Sequence, residues 1–366
     1  MMRMAFLAVT AICALFAPLH MAAAQEEADA PKPGLHRGYG DWHLACDNVY
    51  SCEANSLASD FQLEQGATLR IQRQAGQVGY FRVMVLARDP EVKRVALLVD
   101  GRQRIEGEVD KDGRFVVPPG QSMTIARALA RGKRASVIDT TLVTPQKVIA
   151  EISLKGSFAA MRAMDKQHGR SWTSDAIAER GRRSYRGTAE RLPIVPQMAP
   201  ADFEDLPSKK AMARLAEESG CTEQRNENTG FTEQAHPLQE TDAEYIALVT
   251  VPCGYGAYNT SEKPFIARRA KDADDDDLWR FALAKFDYHP AWSENPERTL
   301  LVNSYYAAED GILGSFAKGR GLGDCGSGES YVWDGQMFRL FEASAMDECR
   351  GVWEWPTIWR AYVQRR

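Results

Sequence analysis

The sequence predicts a mainly β protein: two antiparallel β-sandwich or barrel-like domains with a few short helices, stapled by disulfides. Three observations carry this. Strand-like runs of alternating apolar and polar residues recur at spacings of about 8–15 residues, divided by Asp-Gly and Pro-Gly turn signals. Of the seven cysteines only Cys13 lies in an N-terminal leader, and the even remainder suits a disulfide framework. The stretch Gly314–Arg350 sets a glycine-dense loop, Cys325, an aromatic hairpin around Asp334-Gly335 and Cys349 side by side.

Residues 1–24 read as a secretory signal peptide. Arg3 supplies the charged start, Ala5–Leu19 the apolar run, and Ala22-Ala23-Ala24 the small residues of a cleavage site. That run is too short for a membrane span, and no later stretch of about 20 apolar residues follows. The expectation is a periplasmic or secreted protein without a transmembrane segment. Cys46, Cys52, Cys221, Cys253, Cys325 and Cys349 then meet an oxidising compartment, where fifteen pairings are open to them. Pairing of sequence neighbours would give Cys46–Cys52, Cys221–Cys253 and Cys325–Cys349. Zinc is the competing use, but no C-x-x-C occurs, and His36, His43, His168, His236 and His289 show no ligand spacing. No metal and no cofactor are expected.

Residues 35–170 form the first domain. Gly40–Asn48 reads as an opening strand with Trp42 in the core, after a polar leader through Gly34. Ala67–Arg73 alternates cleanly, with Ala67, Leu69 and Ile71 on one face. Tyr80–Ala87, Val95–Val99, Ile105–Val109 and Ser122–Ile125 read as further strands, and Asp100-Gly101 as a type I′ hairpin turn. Ile125–Arg131 has room for a helical turn, Ser136–Leu142 and Lys147–Leu154 read as strands, and Gly156–Met164 as a short helix ending near Gly169. His168 is the most tempting catalytic histidine, yet no nucleophile or carboxylate is tied to it by a recognisable arrangement.

Residues 171–202 are expected to hold a second helix, Trp172–Arg183, and then a Pro/Arg-rich linker. Its arginines Arg180, Arg182, Arg183 and Arg186 read as a solvated edge. Residues 203–366 form the second domain. It opens with a helix over Leu206–Ser219 stopped by Gly220, followed by the strand pair Tyr245–Val251 and Phe265–Arg269. Asp272–Asp277 lacks the glycine and glutamate of a calcium loop and reads as a solvated tip. Thr299–Tyr305, Gly311–Phe316, Tyr331–Trp333, Met337–Ala343 and Ile358–Val363 complete the strands. Gly321–Gly326 satisfies G-x-G-x-x-G, but an aromatic strand follows it where a dinucleotide turn needs a helix.

Several phrases resemble a family of exported bacterial proteins, the domain of unknown function DUF1176. They are GDWHLACDNVYSCEA (Gly40–Ala54), DKQHGR (Asp165–Arg170), VPCGYGAYN (Val251–Asn259), KGRGLGDCG (Lys318–Gly326), YVWDGQMFRL (Tyr331–Leu340) and ECRGV (Glu348–Val352). The resemblance runs from about Leu35 to Arg365, and the aspartate-rich stretch before Leu278 departs from it. The N-terminal half, through its Trp–Cys entry and ISLKGSFAAM (Ile152–Met161), is also similar to the invasion-associated locus B proteins, small exported β domains. The resemblance implies a periplasmic protein of Gram-negative bacteria and carries no catalytic set onto these positions.

Function then rests on the loops. The leading expectation is a non-enzymatic binding or envelope-interaction module. Its candidate surface is Tyr255, Tyr258 and Asn259 with Lys318, Arg320 and Asp324, two glycine-rich loops beside cysteines, facing an envelope protein or glycan. The alternatives are an inhibitor of an exogenous hydrolase, or a hydrolase of an envelope polymer using Asp324, Glu329 and Asp334 as its carboxylates. With a net charge of −5 and no basic run interleaved with aromatics, nucleic acid is excluded as a partner.

Overall fold

A computed structural model describes residues 30–59, 66–142, 144, 146–221, 231–273, 278–289 and 299–366. Residues 1–29, on which the expected signal peptide falls, and Asp274–Asp277 of the aspartate run lie outside the described residues. Residues Lys32–Arg366 form one compact unit, and the fold is mainly β with a few short helices and three disulfides. The cysteines pair as sequence neighbours: Cys46–Cys52, Cys221–Cys253 and Cys325–Cys349.

The first half contains β1 (His36–Tyr39), β2 (Trp42–Cys46), β3 (Cys52–Ser56), β4 (Ala67–Arg73), β5 (Phe81–Ala87), β6 (Arg94–Val99), β7 (Gln103–Glu108), β8 (Arg114–Val116), α1 (Pro119–Arg131), β9 (Arg134–Asp139), β10 (Lys147–Ser153) and α2 (Ser157–Gln167). One sheet runs β1-β2-β3-β4-β5-β8, the other β10-β9-β6-β7, and the neighbouring pairs are antiparallel. Both sheets and both helices bury their apolar faces in one core. Trp42, Leu44, Leu69, Ile71, Leu97, Leu129, Ile152, Met161 and Met164 are fully buried there. Truncating one of them, as in Leu69→Ala, removes contacts worth about 2–5 kcal/mol. Asp100-Gly101 makes the expected turn, with φ of 49° and 64° and Arg102 N–H donating to the Val99 carbonyl at 3.1 Å.

Three expectations for this half are corrected. The strand expected over Gly40–Asn48 is present as β2, but it is the second strand of a hairpin: β1, on residues 36–39, precedes and pairs with it. Ser122–Ile125 is helical, because Pro119 starts a helix whose Ile125, Ala126, Leu129 and Ala130 all reach the core. Trp172–Arg183 is not a helix. The Asp165 carboxylate accepts the Ile177 and Ala178 N–H groups at 2.8 and 2.9 Å, so a side chain takes bonds that a helix would give to carbonyls.

The second half adds β11 (Ile194–Gln197), α3 (Lys209–Ser219), β12 (Gln234–Glu240), β13 (Glu244–Tyr255), β14 (Thr260–Ala270), β15 (Arg280–Leu283), β16 (Leu301–Val302), β17 (Tyr305–Ala307), β18 (Ile312–Lys318), β19 (Gly326–Trp333), β20 (Phe338–Met346), β21 (Thr357–Arg360) and β22 (Tyr362–Arg365). One sheet runs β12-β13-β14-β15 with β16 on β14; the other runs β17-β18-β19-β20-β21. Their shared core holds Leu248, Leu301, Tyr331, Trp333, Phe338 and Leu340. Helix α3 is capped by Ser208, whose hydroxyl accepts the Ala211 N–H at 3.2 Å, and Gly220 ends it at φ 74°. It packs Leu215 and Ala216 on the far face of β13.

Two corrections fall here as well. The final strand breaks at Ala361, and its second part, β22, pairs in parallel with β11 from the proline-rich stretch. The Asp334-Gly335 connection is a four-residue loop, because the Asp334 carboxylate accepts both Gln336 and Met337 N–H at 2.8 Å.

Residues 347–360, from the end of β20 through β21, lie across the first sheet. Arg350 donates to the Ala58 carbonyl and Asp41, each at 2.7 Å, and Glu354 accepts from Arg70 at 2.5 Å and Arg114 at 2.8 Å. Arg360 reaches Asp47 at 2.5 Å and Ser51 at 2.8 Å. Val352 packs with Leu57, Met346 and Cys325. The Cys325–Cys349 bond ties this segment to the β19–β20 ladder across a separation of 24 residues, against 6 for Cys46–Cys52. Chain entropy then predicts that Cys325→Ser/Cys349→Ser lowers unfolding free energy by about 3 kcal/mol and the Cys46 pair by about 2. Urea titration of both double variants checks this, and an equal or inverted order would refute it.

Candidate functional site

Where β19 and β20 run out toward the Cys325–Cys349 bond, a cleft of about 370 Å³ opens. Ser327 and Glu329 of β19, Ala345 and Met346 of β20, Ile358 of β21, Tyr288 and the disulfide form its walls. Strand β1 adds His36, because the Gly34 N–H donates to the Ile358 carbonyl at 2.8 Å and carries the chain past β21. Gly326 opens β19 at φ 143°, where an added Cβ would stand 2.0 Å from the Ala317 carbonyl oxygen. Only glycine lets the strand start so close to its neighbour.

The polar groups here are unequal. The Ser327 hydroxyl is buried, its residue 9% exposed, with no hydrogen-bond partner among the described residues. Glu329 is also buried; after burial, its charge helps raise the Tyr288 pKa. At the rim, His36 Nδ1 pairs with Asp347 Oδ2 at 2.7 Å, and that bond raises the histidine pKa and lowers that of the aspartate. Next to them His43 is completely buried, and burial holds its pKa down to about 4. His36, His43 and Asp347 each offer a ligand atom, all within 4.8 Å of one another, and could together hold a metal ion.

The loops singled out in the sequence meet beside this cleft. Asn259 joins them: its Nδ2 donates to the Lys318 carbonyl at 2.9 Å, and its Oδ1 accepts the Lys318 N–H at 3.1 Å. Tyr258 donates its hydroxyl to the carbonyl of Gly319, a residue of the cleft wall, at 3.2 Å. Tyr255 stands exposed. Arg320 grips Asp324 with two bonds of 2.7 and 2.5 Å, so its guanidinium is engaged within its own loop. Burial works to raise the Asp324 pKa, but Arg320 and the Gly351 N–H outweigh it and hold it low.

Of the three carboxylates weighed for hydrolysis, Glu329 lies in β19, Asp324 just before it and Asp334 just after it. At about 3.3 Å per residue, Glu329 stands roughly 15 Å along the chain from each of the others, beyond the ~5–9.5 Å of glycosidase pairs. Asp334 is held by its turn and by Arg339 at 2.7 Å. Trp42 is a core residue that donates to the Ser153 carbonyl at 3.1 Å. Sequence reasoning missed His36, His43 and Asp347. The available signal was a hairpin about Gly40-Asp41, which sets two histidines on one face.

With this geometry in view, the comparisons place the chain. Residues 36–362 match the family described as "Protein of unknown function (DUF1176)". The chain belongs to this family. This chain is similar to the "Uncharacterized protein YpfG" of Escherichia coli (strain K12), 25% identical over 343 residues, covering 88% of this chain and 92% of that protein. Among solved structures, invasion associated protein b from Bartonella henselae is 18% identical, covering 37% of this chain and 99% of its own, with a TM-score of 0.28. Among the described residues of this DUF1176 chain, no helix is long and apolar enough to cross a membrane.

His168 is structural. It is buried with Nε2 bonded to the Tyr50 carbonyl at 2.6 Å, and burial lowers its pKa from 6.5 to about 4. A depressed histidine pKa stabilises the fold fully above pH 6.5, and that contribution is lost as pH falls toward 4, by about 3 kcal/mol. His168→Asn should therefore cost stability at pH 7 yet flatten the decline of the urea midpoint between pH 6.5 and 4. An unchanged slope would show that His168 does not titrate on unfolding.

Proposed function

We propose that this protein is an exported, periplasmic binding module that seats a side chain of an envelope peptide partner in the cleft between β1 and the β19–β20 ladder. The observation that carries it is the buried Ser327 hydroxyl, partnerless among the described residues, in a cleft walled by Ala345, Met346, Ile358, the Tyr288 ring and a disulfide, with Glu329, His36 and Asp347 as its ionisable lining. A buried polar group without a partner costs about 1–3 kcal/mol, and a ligand that bonds it recovers that cost at binding. A volume of about 370 Å³ suits one or two side chains and falls at the small end of ligand pockets. Apolar side chains and a disulfide beside a few ionisable groups suit a peptide side chain with one polar end. Tyr255 and Tyr258, on the loop joined to Gly319, extend the surface beyond the cleft mouth. The leader pattern and the disulfides support the compartment. The same reading takes residues 35–170 and 203–366 as two sandwich-like domains joined through 171–202.

The test is capture from native envelope extract with oxidised protein and cross-linking. One saturable peptide partner should be retained. Ser327→Phe, which fills the cleft, should abolish capture, and Ser327→Ala should weaken it about fivefold while leaving the free protein as stable or slightly more so. Capture that survives Ser327→Phe in a folded variant would overturn the assignment.

A further inference from the structure

The β1–β2 hairpin turns two histidines the same way. Gly38 stands opposite His43 in the antiparallel register, and His36 lies two residues before Gly38, so both imidazoles project from one face. It is the face turned to the second half of the chain: Ala45 on it packs into the second core, whereas Trp42, Leu44 and Cys46 on the other face pack into the first. Asp347, directly after β20, meets the pair, and ligand atoms of all three residues lie within 4.8 Å of one another. His43 is 0% exposed, and neither of its ring nitrogens has a hydrogen-bond partner among the described residues. Among the described residues, neither nitrogen gains a hydrogen bond, and burial keeps bulk solvent from the ring. A second acid stands close by, because a Cβ at Gly38 would come within 2.6 Å of Glu348 Oε1.

We propose that His36, His43 and Asp347 form a binding site for a divalent transition-metal ion of the zinc class. Two imidazoles and a carboxylate are a donor set that zinc accepts, and three protein donors leave a further coordination position. Tetrahedral ligation at ~2.0–2.1 Å needs donor atoms about 3.3 Å apart, so the 2.7 Å His36–Asp347 pair opens slightly as the ion replaces their shared proton. The wider separations close by at most ~1.5 Å, which the half-exposed His36 and exposed Asp347 side chains can supply. His36 and Asp347 also line the cleft, so the further position faces it. The assignment stands on these three side chains and is independent of what the cleft seats.

Titration calorimetry of the full oxidised chain with zinc chloride, after chelator treatment, tests this directly. One ion per chain should bind, and His36→Gln and Asp347→Asn should each weaken binding at least ~10-fold. These residues are used because neither side chain is fully buried, whereas replacing His43 risks the fold. His236→Gln, outside the cluster, should leave the affinity unchanged. Cobalt chloride should give the strong visible absorption of a four-coordinate ion, lost in both variants. Absence of zinc binding by the parent protein, or affinity unchanged in both variants, would overturn the proposal. Peptide capture repeated in chelator separates the two readings, since the cleft assignment is judged by Ser327→Phe with or without the ion.

Discussion

The lay of residues 347–360 over the first sheet is the constraint on which the rest depends. Its anchors are charged side chains set in specific geometry: Arg350 on Asp41 and the Ala58 carbonyl, Glu354 between Arg70 and Arg114, and Arg360 on the buried Asp47. Such pairs return little net stability once desolvation is counted, but a planar guanidinium fits its acceptors in few orientations. They fix where the segment lies more than they hold it down. Apolar packing of Val352 against Leu57 and Met346, with the Cys325–Cys349 bond, supplies the hold.

The site follows from that placement. The segment begins at Asp347 and Glu348, which it lays over the β1–β2 hairpin, and this covers His43. It borders but does not fill a cleft lined by Ser327 and Glu329 of β19. The two halves thus contribute different things: the first an imidazole-bearing face, the second a disulfide-walled groove of apolar residues with Glu329 and Asp347.

Local chemistry made much of the fold legible. Alternation of Ala67, Leu69 and Ile71 identified β4, Asp100-Gly101 its kind of turn, and Gly220 the end of α3. Errors arose where a distant or side-chain group overrode the local pattern. Asp165 captured the N–H groups of Ile177 and Ala178 and prevented a helix, and Asp334 widened its hairpin by capping two of the loop's N–H groups. Strand β1 escaped notice because four residues beside a polar leader show too little periodicity, and only pairing with β2 defines them.

By itself the sequence determined the β-rich class, the cysteine set and the neighbouring pairs it favours, and the two glycine-rich loops that prove to be joined by Asn259. These depend on composition and on residues close along the chain. Only the tertiary structure decided that His36, His43 and Asp347 converge, that Ser327 is buried beside a cleft, and that Arg320 is engaged by Asp324. The first of these joins residues 311 apart in sequence, as the His36–Asp347 bond records. No periodicity spans that distance, because it is set by how two sheets and one crossing segment pack.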